Sequence, residues 1–72
     1  MTDSKLLRLK ISESGYKMVY VAKKVGVTYA GLMKKINNET EFKASEIVKL
    51  CELLKIENRE EREKIFFAKS VD

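Results

Sequence analysis

The stretch Met18–Asn37, MVYVAKKVGVTYAGLMKKIN, limits the fold more than any other part of the chain. Val21, Ala22 and Val25 keep helical spacing, and Leu32 and Ile36 form an i,i+4 pair further on. Gly26 falls between the two groups, where one helix must end and the chain must turn sharply. A residue without a Cβ adopts φ > 0 there at little cost. Val27 then directs an apolar side chain back into the angle. Thr28 suits the N-cap of the second helix, because its hydroxyl can accept an orphan backbone N–H. Ala22, one turn before the glycine, is small enough for two helices to cross closely. The expectation is two short helices joined by a tight turn at Gly26, the second spanning 28–37.

The spacing of Ala22, Gly26 and the apolar Val21, Val25, Val27, Leu32 and Ile36 resembles the helix-turn-helix of the phage repressor and Cro-like (XRE) family of DNA-binding proteins. The likeness extends to most of the chain, since Glu41–Leu54 (EFKASEIVKLCELL) is similar to the segment that follows the motif in small prophage-type regulators. It implies an all-α, lambda-repressor-like domain of five short helices, with the helix-turn-helix at helices two and three. Two positions depart from the pattern. Met18 stands where the family often has a glutamine that holds a phosphate. Lys35 takes a slot that is often apolar, with Ile36 carrying the core contact instead.

A chain of 72 residues makes one domain whose core is too small for a buried catalytic cavity. A hydrophobic content of 44% beside 36% charged residues argues against disorder. No apolar run approaches a membrane span, and Met1–Lys10 carries charges where a signal peptide needs an apolar region, so a cytoplasmic protein is expected. The lone Cys51 excludes an internal disulfide framework, and with no histidine there is no conventional zinc site. The absence of histidine also removes the usual base for a serine or cysteine nucleophile. Neither an enzyme nor a metal or other cofactor is expected.

Charge is unevenly placed. Residues 1–43 hold nine Lys/Arg against four acids, whereas 44–72 hold six bases against seven acids. The positive excess therefore lies on the half that contains the turn, as expected if one face meets a polyanion. Charge alone does not separate that from a face of solvated lysines.

Taken in order, Asp3 or Ser4 can cap a first helix running to about Ser14, with Leu7 and Ile11 on its buried face and Gly15 ending it. Lys17 is a poor cap for the second helix. After the motif, Asn37-Asn38 is a stop signal, because Asn tolerates the αL conformation. Glu39–Phe42 is a short loop with Phe42 as its apolar plug. A fourth helix starts at about Lys43 or Ala44 and ends at Leu54. Its stripe is Ala44, Ile47, Val48, Cys51 and Leu54, widened by Leu50 and Leu53. Cys51 in that stripe reads as a small buried apolar residue. Asn58 and Glu61 form a variant capping box before a fifth helix to about Ala68, where Glu60 and Lys64 can pair. A helix cannot turn Ile65, Phe66 and Phe67 all to one face. Either two of them close the core and the third is surface, or the cluster is a homodimer patch.

In the helix-turn-helix docking mode the second helix of the motif enters the major groove and uses its first turn on base edges. Carried over by position, the base-facing residues are Thr28, Tyr29, Ala30 and Lys34, with Met33 at the margin. Lys34 can donate to guanine, and Ala30 can touch a thymine methyl. Tyr29 is expected outside, with core packing as the rival reading. Gly31 costs about 1 kcal/mol against Ala within a helix, and a close approach to the partner helix would explain it. Phosphate contacts fall to Lys17, Lys35, Asn37, Asn38 and Lys43, which flank the reading helix, while Lys23 and Lys24 face solvent. The resemblance implies a regulator that binds double-stranded DNA. A rival reading keeps the scaffold but makes it a protein-interaction module of antitoxin or anti-regulator type, because Met18, Ala30, Gly31 and Met33 are poor in hydrogen-bonding groups.

Overall fold

Residues 1–69, which the computed structural model describes, form five α-helices and no strand. They are α1 (Ser4–Ser14), α2 (Met18–Val25), α3 (Tyr29–Ile36), α4 (Ala44–Leu54) and α5 (Arg59–Phe66). The all-α class and the number of helices agree with the expectation. No helix among these residues is long and apolar enough to cross a membrane.

Local chemistry sets most of the boundaries. The Asp3 carboxylate accepts the Leu6 N–H at the head of α1, and Gly15, at φ 79°, ends it. α2 follows Lys17 with no side-chain cap. It closes at Gly26, at φ 90°, whose N–H donates to the carbonyls of Ala22 and Lys23. Val27 N–H returns to the same Ala22 carbonyl, and its side chain packs on the core. Thr28 caps α3 by accepting the Gly31 N–H at 3.0 Å. A Cβ on Gly31 would lie 3.0 Å from the Thr28 hydroxyl oxygen. That glycine therefore makes room for the local cap and not for a neighbouring helix.

Asn38 takes the left-handed conformation after α3, and Lys55 does the same after α4. At α4, Glu46 accepts the Lys43 N–H at 2.8 Å. Only this acidic half of a capping box is possible, since an ammonium has no acceptor to return. Asn58 caps α5 by accepting from Glu60 and Glu61. Glu61 does not complete the box; it pairs with Lys10 of α1 at 2.7 Å. α5 stops at Phe66, short of the expected Ala68.

α1 packs on α3, α4 and α5, and α2 packs on α3 and α4. The core forms where Leu7 and Ile11, Val21, Ala22 and Val25, Leu32 and Ile36, and Ile65 and Phe66 meet. Phe42 closes its edge, ring against ring with Phe66 at 5.6 Å in an edge-to-face pair. Two expectations change here. The buried face of α4 is Ile47, Leu50 and Cys51 with Glu46 at its margin, while Ala44 and Val48 are exposed. The face is rotated ~60° from the expected stripe, at ~100° per residue. Ile65 and Phe66 are core residues, so of the proposed dimer cluster only Phe67 reaches the surface.

Candidate functional site

α3 presents a narrow outward surface. Leu32 and Ile36 are fully buried, which turns Lys34 to the opposite side and Ala30 with it, one turn earlier. Thr28 and Tyr29, at the start of the helix, are exposed as well, Tyr29 by 52%. Met33 is half-buried and packed against the core, so it reaches only the edge of this surface. Four of the five expected base-facing residues are thus exposed, Ala30 and Lys34 on the side opposite the core and Thr28 and Tyr29 at the open head of the helix. No direct polar contact within the described residues occupies the Lys34 or Tyr29 side chains.

The expected phosphate contacts divide. Lys17 and Lys43 are exposed and enter no ion pair among the described residues. Lys35 is turned inward instead. Its ammonium pairs with Glu46 at 3.0 Å, with the two side chains only 13% and 10% exposed. The same nitrogen donates to the Glu41 carbonyl. The physical reason is its place on the flank of α3 nearest Glu46 of α4, where a nearly buried ammonium needs a carboxylate to offset its lost hydration. The Asn37 side-chain Oδ1 accepts from the Arg8 guanidinium at 2.8 Å. Both ends of the Asn38 amide are engaged by the backbone of Thr2. Lys35 and Asn38 therefore do structural work, and Lys17 and Lys43 are the two lysines of this set left open to an anion.

Burial acts to raise the Glu46 pKa, but the Lys43 N–H and the Lys35 ammonium outweigh it and hold the carboxyl below its ordinary 4.5. Burial pushes the Cys51 thiol up, with Arg62 opposing, which keeps it protonated and poorly reactive. Among the described residues, no group of three or more His, Cys, Asp or Glu side chains could hold a metal ion.

Two surface features were not read from the sequence. Tyr16, just before α2, and Tyr20 within it lie ring to ring at 5.0 Å, and the Lys24 ammonium sits 5.5 Å from the Tyr20 ring. Their i,i+4 spacing was the available signal. Between α4 and α5 runs an apolar groove of about 750 Å³ lined by Ala44, Ile47, Val48, Cys51, Ile56 and Phe67. Val48 and Phe67 are 55% and 54% exposed. Glu52, Lys55, Glu57, Arg62 and Glu63 form its rim, so its charges are mixed. Compared with known proteins, the chain matches no family model, and no significant match appears among curated proteins or solved structures.

Proposed function

We propose that this chain is a cytoplasmic, sequence-specific double-stranded-DNA-binding regulator of the Cro/repressor type, XRE-like and of phage or prophage kind, reading the major groove with α3. The observation that carries the reading is the exposure of Thr28, Tyr29, Ala30 and Lys34. They stand on a short helix behind a tight glycine turn, in the positively charged half of the chain. A helix used this way reads bases from its first turns, and exposed cations beside it hold phosphates. Lys17 and Lys43 fill that second role; Lys35 and Asn38 leave it. Recovery of bound sequences from a random DNA pool tests the proposal, which requires enrichment of a defined site.

A homodimer fits the same reading, with the α4–α5 groove and Phe67 as the contact. Two copies that each carry excess positive charge on the reading half repel there. The mixed rim of the groove offers each copy both signs to meet its partner. The protein-interaction reading draws on the exposed apolar residues Ala30, Val19, Val48 and Phe67. Salt separates the two. Binding through phosphates weakens steeply as salt rises because counterions are released, and binding through an apolar face does not.

A further inference from the structure

The end of α3 is tied into the molecule by an uncommon pairing. The Asn38 side chain accepts the Thr2 N–H through Oδ1 and donates through Nδ2 to the Thr2 carbonyl, both at 2.8 Å. One amide side chain thus satisfies one edge of an extended segment, as a neighbouring strand would. The other edge of that segment is satisfied by α5 and the residues after it. Asp3 N–H donates to the Ile65 carbonyl at 2.7 Å, and Ala68 N–H donates to the Met1 carbonyl at 2.9 Å. Thr2, between the two edges, is only 5% exposed. The Ser4 hydroxyl adds a bond to the Ile36 carbonyl, one of the orphan acceptors at the end of α3. Residues 1–3 are therefore a strap, with the reading helix on one side and α5 on the other.

α5 packs chiefly on α1, and this strap adds a direct hydrogen-bonded route from the end of α3 to α5, beside the one through α1 in which Arg8 meets Asn37 and Lys10 meets Glu61. In a dimer joined near Phe67, the separation of the two reading helices depends on how rigidly α3 is held relative to α5. We propose that Asn38 is a positioning residue that fixes α3 against α5 through the strap of residues 1–3, and so sets which half-site spacing the protein accepts. The spacing part rests on the proposed DNA-reading dimer; the tie itself does not. Only an amide supplies both the acceptor and the donor that Thr2 needs. Asp keeps the acceptor but sets a carboxylate against a carbonyl, and Gly keeps the φ of 64° without a side chain.

Amide hydrogen exchange of the free protein tests the tie on Asn38→Gly and Asn38→Asp. Exchange should quicken about tenfold at Thr2 and also at Asp3 and Ala68, which Asn38 does not touch, while Val21 and Leu50 keep their rates. Acceleration at Thr2 alone, or equally at every amide, overturns the tie. Competition binding on sites whose half-sites are moved apart by inserted base pairs tests the consequence. Asn38→Gly should accept altered spacings severalfold better relative to the preferred one, with unchanged preference within a half-site. A variant that keeps the wild-type spacing preference overturns the positioning role. Wild-type protein that shows no sequence preference overturns the DNA-reading proposal, and the exchange result then still decides the tie.

Discussion

Gly26 sits at φ 90°, and a Cβ there would meet only the Lys49 ammonium, at an ordinary 3.7 Å. The demand at this position is conformational and not steric. Gly26→Val should cost roughly 1–3 kcal/mol, because a β-branched residue strains at positive φ. Gly26→Asn should cost less, since Asn visits the left-handed region. Thermal melts of the pair check this, and equal losses would place the cost in packing instead. Lys34 and Lys43 are both exposed lysines with different expected partners. Lys34→Ala should lose ~1–3 kcal/mol against the preferred site and flatten discrimination at one base position. Lys43→Ala should weaken all sequences alike and lower the salt slope by about one unit. Binding titrations over a salt series, on the preferred site and on mutated ones, distinguish the two outcomes. If Lys34→Ala matches the wild type on every sequence, α3 is not the reader.

At the scale of elements, α3 and α4 are joined by the Lys35–Glu46 pair, which also caps α4 through the Lys43 N–H. The Glu46 carboxyl titrates below its ordinary 4.5 in the fold, so the fold binds its proton less readily than the unfolded chain does. Its contribution is therefore fully present above 4.5 and is lost as pH falls through the lowered folded value. Glu46→Gln removes that dependence, cannot neutralise the nearly buried Lys35 ammonium, and should cost ~1–3 kcal/mol at neutral pH. Urea denaturation between neutral pH and pH 3 measures both effects. The acid-induced loss should be shallower in the variant than in the wild type, and parallel curves would show that another carboxylate governs it.

For the whole molecule, the proposed reading gives the exposed surface of α3 to DNA and the α4–α5 groove to a second copy. Phe66 and Phe67 are neighbours with opposite fates, 4% and 54% exposed. Phe66→Glu should cost at least the ~3–5 kcal/mol of a truncated core Phe, because it also buries a charge. Phe67→Glu should stay folded and lose self-association. Circular dichroism and sedimentation velocity on the two variants give the answer. A wild type that remains monomeric at high concentration and on DNA rules out the dimer.

Much of this architecture was legible from local chemistry. Gly15, Gly26, Thr28 and Asn58 each act on backbone groups within a few residues, so helix ends could be placed from neighbours in the chain alone. The buried pairs Leu7–Ile11 and Leu32–Ile36 were equally clear, because each keeps the i,i+4 spacing of one helix face. α4 was different. Apolar residues cover so much of Ala44–Leu54 that helical period does not choose a centre. Only packing against α1 and α2 turned Leu50 inward and left Val48 outside. The same holds for the Ile65–Phe67 run, where position against α1 decided which ring is core. Lys35 and Asn38 looked like phosphate contacts because their partners, Glu46 and Thr2, lie in other segments. Sequence spacing reports what a residue does to its own turn of helix; which distant group occupies its side chain is decided by how the helices pack.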